Sequence, residues 1–186
     1  MISDNASTVK LNDVLGQSTE ENNNNTVRRV AEAFNTGNVS NVSEFISLQY
    51  FNHESQVDPV RGQLRGPEEF MDTVENLRIA FPNLRHEEQE TIAQGDTVIS
   101  VLNVTGTNTG NFFMLPPTGN NISYEAVHIH RIGEDGKIIE HKAIRDDLTF
   151  LAQLGVVRPS SAEFEPFFQA LTGTRTTNSS GQSQSP

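Results

Sequence analysis

The fold is decided by residues 136–155, where a strand pattern changes to a helix pattern within a few positions. The run reads Gly136-Lys137-Ile138-Ile139-Glu140-His141-Lys142-Ala143-Ile144-Arg145-Asp146-Asp147-Leu148-Thr149-Phe150-Leu151-Ala152-Gln153-Leu154-Gly155. The segment Lys137–Arg145 is typical of a strand, whereas leucines at positions 148, 151 and 154 recur at helical spacing. We therefore expect a last strand that leads directly into a short helix over Leu148–Leu154.

Three further strands are predicted upstream of this run. They cover Leu84–Ala93, Thr97–Thr105 and Ile122–Ile132. The pair Gly95-Asp96 and the stretch Gly133–Gly136 have the composition of tight turns between adjacent strands. The four strands are therefore expected to be consecutive and antiparallel.

Before residue 82 the apolar residues recur at helical spacing. A first helix begins near residue 26 and is ended by Gly37, a short second helix covers Val42–Ile46, and Pro67 opens a third. The apolar stripes of the first and third helices are Val27, Val30, Ala31 and Phe34, and Phe70, Val74 and Leu77. Helices followed by consecutive antiparallel strands predict an α+β fold.

The polar ends of the chain divide it into four regions. Residues 1–25 end in an Asn-rich run and predict a disordered leader, and residues 26–156 form the folded domain. A C-terminal helical extension is expected over 157–173. Residues 174–186 are of low complexity and predict a disordered tail.

The charge and composition of the chain exclude several classes of partner. The net charge is −11, and an acidic surface repels both phosphate backbones and anionic membranes. The chain has no cysteine, so disulfides, thiolate nucleophiles and Cys-ligated metals are excluded. Neither a signal peptide nor a membrane span is visible. The absence of cysteine fits a reducing cytoplasm, and we expect a cytoplasmic protein.

The chain contains a series of short motifs in a fixed order. The motifs are Asn52-His53, Gly66 with Phe70, Ala80-Phe81-Pro82-Asn83-Leu84, Gly95-Asp96 with Val98, Gly106-Thr107-Asn108-Thr109-Gly110, Pro116-Pro117-Thr118-Gly119, Arg131, Asp135-Gly136-Lys137-Ile138 and Glu140-His141. Together they resemble the SnoaL-like polyketide cyclase (ester cyclase) family of the NTF2-like superfamily, which implies a small-molecule substrate. The resemblance implies a cone-shaped barrel in which a curved antiparallel sheet wraps around the N-terminal helices. It also implies a homodimer formed through the outer sheet face, with no cofactor and no metal. Two positions depart from the family pattern, because Asn108 replaces a common His and Lys142 replaces a common Trp.

The family resemblance places the catalytic carboxylate on Asp146. One carboxyl group can both remove a proton from a carbon acid and return it to the alkoxide, if an apolar pocket raises its pKa. Strict alternation along the last strand would put Asp146 on one face with Ile138, Lys142 and Ile144. The alternative is that Asp146 caps the following helix, although Asp147 is the better placed cap.

Five other residues are candidates for substrate binding. His128 and His130 share a strand face and could donate hydrogen bonds to an enolate oxygen, or form a solvated or dimer-facing pair. Only one of Asn52 and His53 can face inward, where it would orient a substrate carbonyl. Lys142 either holds Asp146 ionised or extends to the rim with its charge in water.

Two remaining histidines are expected to have no role in the pocket. His141 has the opposite parity to Asp146 and is expected to be structural. His86 lies in a charged strand and is expected to be exposed.

Three readings of the function remain open from the sequence. The first is a cofactor-free cyclase or isomerase that acts on a small carbonyl compound by acid/base catalysis. The second is a ligand-binding or protein-interaction module on the same scaffold, since fold alone does not imply function. A dehydratase or hydrolase with an Asp–His pair would be a third reading.

Overall fold

The computed structural model describes residues 4–58, 60–157 and 169 of the 186-residue chain. Within these residues lie three α-helices and five strands. They are α1 (Asp4–Thr36), β1 (Ile46–Asn52), α2 (Gly66–Ala80), β2 (Arg85–Gln94), β3 (Thr97–Thr107), β4 (Asn121–Ile132), β5 (Ile138–Arg145) and α3 (Asp147–Gln153). The α+β class predicted from the sequence is confirmed.

The five strands form one curved, unclosed sheet in the order β1-β5-β4-β3-β2. The four strands predicted from the sequence are present and pair as antiparallel neighbours. The sheet is nevertheless mixed rather than antiparallel, because β1 runs parallel to β5. This corrects the prediction of a wholly antiparallel sheet.

The predicted short helix over Val42–Ile46 forms only in part, and its last residue, Ile46, is the first residue of strand β1. Only a single 3-10 turn forms, over Val42–Glu44. Ile46 pairs with Ile138 of β5, and both side chains are almost fully buried. The gain from burying this apolar pair in the sheet outweighs the weak local preference of so short a helix.

Helix α2 begins where the sequence predicts, and its start is fixed by close packing on β1. Gly66 has a φ of +68°, and a Cβ at this position would lie 2.8 Å from the carbonyl oxygen of Leu48. Only glycine therefore fits. Pro67 follows in the first turn, and the helix buries Phe70 and Val74 against the sheet.

Helix α1 is longer than the sequence predicts. It runs without interruption from Asp4 to Thr36, so residues 4–25 of the predicted leader are helical. Asn23 is buried and its side-chain amide donates to the carbonyl oxygen of Gly95 at 2.9 Å, which connects this part of the helix to the turn between β2 and β3. Of the predicted extension (157–173) and tail (174–186), all but residues 157 and 169 lie outside the described residues.

The core lies between the helices and the concave face of the sheet. Its aromatic centre consists of Phe34 from α1, Phe45, and Phe70 from α2, with ring centroids 5.6 Å apart in the pairs Phe34–Phe70 and Phe45–Phe70. In the part of the chain that the structure describes, no helix combines the length and apolarity needed to span a membrane.

Candidate active site

A cavity of about 560 Å³ opens between the helices and the concave sheet face. This volume lies within the range of small-molecule binding sites. Much of its wall is apolar and is formed by Phe34, Phe81, Leu84, Phe112, Ile122 and Phe150. The cavity can therefore enclose a largely apolar molecule of moderate size.

Part of the polar wall of the cavity comes from the strands of the sheet. His128 and Tyr124 of β4 line it together with His141 of β5, and His86 of β2 lies beside them. All three histidines are buried, and His128 pairs across the ladder with Ala143, another lining residue. Alternate residues of a strand share a face, so Tyr124 and His128 point to the same side of β4.

A continuous hydrogen-bond chain runs from helix α2 to this wall. The amide nitrogen of Asn52 donates to Oε1 of Glu69 at 2.8 Å, and Oδ1 of Asn52 lies 2.9 Å from Nδ1 of His141. Nε2 of His141 lies 3.1 Å from Nδ1 of His128. Four buried polar side chains are thereby linked in one line.

Burial determines the charge state of the histidines. The pKa of His128 and that of His141 lie well below the ordinary value, mainly because burial disfavours the imidazolium and secondarily because neighbouring histidines repel it. Burial alone lowers the pKa of His86 and of His130 to about 4. The cluster is therefore neutral at pH 7.

Two further groups of the site have shifted pKa values. Burial raises the pKa of Tyr124 to about 12, so its hydroxyl stays protonated and can donate a hydrogen bond. Burial also raises the pKa of Glu69, opposed by the hydrogen bonds that its carboxyl group accepts.

Charged side chains lie at the rim of the cavity. Arg61 pairs with Asp72 at 3.4 Å, and Arg145 contacts Glu54 at 3.0 Å and Asp147 at 3.1 Å. Both arginines are thus paired with carboxylates, and the charge of Arg145 also contributes to lowering the pKa of His128 and that of His141.

Asp146 caps helix α3. Its Oδ1 accepts from the backbone N–H of Thr149 at 3.0 Å, its side chain is exposed, and it is not among the residues that line the cavity. The cap is thus Asp146 itself and not Asp147, which is the first helical residue. A catalytic role for Asp146 remains a prediction.

The predicted parity of β5 is wrong, and a bulge explains why. Arg131 pairs with Glu140 and Ile132 with Ile138, which leaves Ile139 without a partner in the ladder. One extra residue reverses the alternation beyond it. His141 therefore faces the cavity and Lys142 faces outward, where it is exposed.

Of the three other predicted binding residues, one lines the cavity and two do not. Asn52 is buried and lines the cavity, whereas His53 lies at the surface with its Nε2 2.7 Å from Glu140. His130 is buried next to His141, with ring centroids 5.0 Å apart, but is not among the lining residues.

Two further positions that the sequence analysis singled out, His86 and Asn108, are both buried in the structure. His86 is not exposed but buried, because its ring stacks on Phe34 with centroids 4.7 Å apart. Asn108 is fully buried and outside the cavity wall, and it holds a loop corner by donating to Ala80 and Gly110 and accepting from Thr118.

Among the described residues, one group of side chains could hold a metal ion, and it consists of His128, His130 and His141. Each offers a ring nitrogen, and the three nitrogens lie within 4.8 Å of one another. The rings of His128 and His141 are already joined by a hydrogen bond, so an ion would have to replace that bond. Nδ1 of His130 is buried and has no hydrogen-bond partner in the part of the chain that the structure describes, so only His128 and His141 of this group are hydrogen-bonded to each other.

Sequence reasoning missed His141, Tyr124 and Glu69. For Tyr124 the sequence does contain a signal, namely its place in the alternation of β4. The residues that face inward occupy every second position, and they are Ile122, Tyr124, Ala126, His128 and His130. No such signal exists for Glu69, since a Glu in the first turn of a helix normally lies in solvent.

Residues 24–154 match the family model of the SnoaL-like polyketide cyclases. The chain is 39% identical to the aklanonic acid methyl ester cyclase DnrD of Streptomyces peucetius over 142 residues, which cover 75% of this chain and 95% of that protein. It is 33% identical to the nogalonic acid methyl ester cyclase of Streptomyces nogalater over 138 residues, or 74% of this chain and 100% of that one.

Solved structures agree with these matches. Wild-type IdmH of Streptomyces antibioticus superposes with a TM-score of 0.61 at 29% identity, covering 72% of this chain and 99% of IdmH. A SnoaL-like protein of Jannaschia sp. CCS1 superposes with a TM-score of 0.63 at 22% identity, covering 75% and 95%, and shows the fold alone. The expected NTF2-like fold is thereby confirmed. Because the family match spans the whole sheet and the helices that cover it, the chain belongs to the SnoaL-like polyketide cyclase family.

Proposed function

We propose that this protein closes a ring in a polyketide methyl ester by an intramolecular aldol reaction, with His128 as the acid/base group. The observation that carries the proposal is the neutral His128 on the wall of a largely apolar cavity. The curated relatives are named as methyl ester cyclases of aklanonic and nogalonic acid, which supports a substrate of the same class.

The reaction requires a proton acceptor, an oxyanion donor and a folded substrate. Nε2 of His128 removes a proton from a carbon that lies between two carbonyl groups, and the enolate carbon then bonds to a second carbonyl carbon of the same molecule. The alkoxide formed takes the proton back from the imidazolium of His128. Substrate and product are isomers, so no atom or electron is gained or lost.

The surrounding residues support each step. The hydroxyl of Tyr124 stays protonated and can donate to the oxygen that becomes negatively charged. The apolar walls favour a compact conformation that brings the two carbons together. Arg61 and Arg145 at the rim can attract a carbonyl-rich end of the substrate.

Asp146 is the second candidate for the acid/base group, on the strength of the family motif. Its exposed position and its capping bond favour His128, because neither an apolar environment nor the cavity wall surrounds its carboxylate. The two candidates are distinguished by single variants. If His128 is the acid/base group, a substitution of His128 lowers the reaction rate and a substitution of Asp146 does not, and if Asp146 has this role the effects are exchanged.

Deuterium exchange in heavy water tests the proposal. Polyketide methyl esters with an acidic carbon would be incubated with the full-length protein, and the incorporation of deuterium and the formation of cyclic product would be followed by NMR and mass spectrometry. We expect His128→Gln to lower both rates by about 100-fold or more and Asp146→Asn to leave them nearly unchanged. The reverse pattern would transfer the role to Asp146.

Absence of exchange and of product with the unaltered protein would contradict the enzyme proposal. Titration of the same esters by calorimetry would then separate a binding module from a protein without affinity for them. Saturable binding with no turnover would establish the second function class that the sequence left open.

A further inference from the structure

Glu69 is a carboxylate in an unusual place. It lies in the first turn of α2 yet is only 1% exposed, and its Oε1 accepts hydrogen bonds from Asn52 at 2.8 Å and from the hydroxyl of Thr73 at 3.1 Å. Carboxylates are almost never fully buried unless they are paired. Glu69 does not line the cavity and so cannot contact substrate itself.

The orientation of the Asn52 amide is determined by two independent contacts. The backbone N–H of Glu54 donates to Oδ1 of Asn52 at 3.1 Å, so this atom must be the oxygen. The opposite side of the amide faces the carboxyl oxygen of Glu69, which suits the nitrogen. The assignment of the two amide atoms therefore does not depend on His141.

This orientation determines both histidine tautomers. Oδ1 of Asn52 can only accept, so Nδ1 of His141 carries the proton and Nε2 of the neutral ring is an acceptor. Nδ1 of His128 must then donate to that Nε2, which leaves Nε2 of His128 with a free lone pair. Among the described residues no protein group bonds to this nitrogen, and its ring lies on the cavity wall.

We propose that Glu69 and Asn52 are positioning residues that hold His141 and His128 in single tautomers, with Glu69 as the buried counter-charge for the imidazolium that forms during the reaction. The catalytic part of this inference rests on the proposed function, whereas the tautomer part does not. If the second ring nitrogen of His128 carried the proton instead, His128 could not accept one from substrate.

The tautomers can be measured without any substrate. Long-range proton–nitrogen NMR spectra of the histidine-labelled full chain at pH 7 distinguish protonated from bare ring nitrogens. We expect Nδ1–H tautomers at both His141 and His128. Asn52→Leu removes the acceptor and should convert a large part of His141 and of His128 to the other tautomer.

Asn35→Leu provides the matched control. Asn35 also forms hydrogen bonds through both ends of its amide, but to the backbone of His86, outside the chain of side chains described above. It should leave both tautomers unchanged. Unchanged tautomers in Asn52→Leu, or an Nε2–H tautomer at His128 in the unaltered protein, would overturn the positioning role.

Glu69→Gln tests the counter-charge separately, because a Gln oxygen can still accept from Asn52. We expect unchanged tautomers, little change in KM, a roughly 10-fold lower kcat and an acidic limb of the kcat profile shifted to lower pH by about half a unit, since loss of a nearby negative charge disfavours the imidazolium. An acidic limb that does not move would overturn the counter-charge role. If the unaltered protein has no cyclase activity, the NMR result still decides the positioning role, so the two failures are distinguishable.

Discussion

At the scale of single residues, the concave sheet face concentrates four of the five histidines of the chain in one buried region. An unpaired polar group loses its hydration when it is buried, which is unfavourable. His86, which the charged pattern of its strand predicted to be exposed, is buried, and its Nδ1 has no hydrogen-bond partner among the described residues. Its burial has a measurable consequence for acid stability.

His86 should make the fold sensitive to acid below neutral pH. Its pKa is about 4 in the folded protein and close to 6.5 in the unfolded chain, so the unfolded chain binds the proton first as the pH falls. The contribution of neutral His86 is complete above pH 6.5 and is lost progressively down to about pH 4. We expect a loss of about 2 kcal/mol in unfolding free energy between pH 6.5 and pH 5 from this group.

Urea unfolding of His86→Gln at the two pH values checks this expectation. The pH-dependent loss should be about 2 kcal/mol smaller in this variant than in the unaltered protein. His53→Gln, which changes a surface histidine, should show the full loss. An equal loss in all three proteins would contradict burial of His86 as the cause.

At the scale of elements, strand β5 shows two effects, one near each end. Near its start, a single unpaired residue, Ile139, reverses the face on which later side chains of β5 lie. Just after its last residue, the side chain of Asp146 accepts a hydrogen bond from a backbone N–H of α3 that has no partner within the helix. The same residue therefore resembles a catalytic carboxylate in a motif and acts as a helix cap in the structure.

Substitutions at Asp146 separate capping from chemistry. Asp146→Ala should lower the free energy of unfolding by about 1 kcal/mol, because the cap is lost, whereas Asp146→Asn should change it by only a few tenths, because Asn caps equally well. Urea unfolding of both variants measures the difference. Equal stability of the two variants would show that the cap contributes nothing.

At the scale of the whole molecule, α1 is hydrogen-bonded to the β2–β3 turn through Asn23, and from Val27 onward the helix buries one face against the sheet. Removal of residues 1–22 and 175–186 should therefore leave the melting temperature within about 2 °C of the full chain. Differential scanning calorimetry measures this. A large drop would show that these segments add to the stability of the domain 26–156.

A second copy of the chain is the expected partner of the outer sheet face. The β-ladder aligns Ile92, Ile99 and Ile129 in one row, and Val101, Val127 and Ile144 in the next, which produces an apolar surface on the side away from the cavity. Ile92 and Ile144 are more than half exposed. Such a continuous apolar surface is typical of an interface.

Sedimentation equilibrium tests this expectation. The unaltered protein should be a dimer at micromolar concentration, and Ile144→Glu should weaken the dimer by at least 10-fold. Val156→Glu, which changes an exposed apolar residue outside the sheet, should leave it intact. A monomeric unaltered protein, or equal effects of the two changes, would contradict an interface on this face.

The sequence by itself determined the α+β class, four of the five strands, the start of α2 and the family, because these depend on local periodicity, turn residues and short motifs. Only the tertiary structure decided which face of β5 lines the cavity, because one bulged residue reverses the alternation and leaves no mark in the pattern. Only the tertiary structure, too, brought Glu69, Asn52, His141 and His128 into one hydrogen-bonded series. They come from four elements separated by up to 89 positions along the chain, and they meet through the parallel pairing of β1 with β5, the antiparallel pairing of β5 with β4 and the packing of α2.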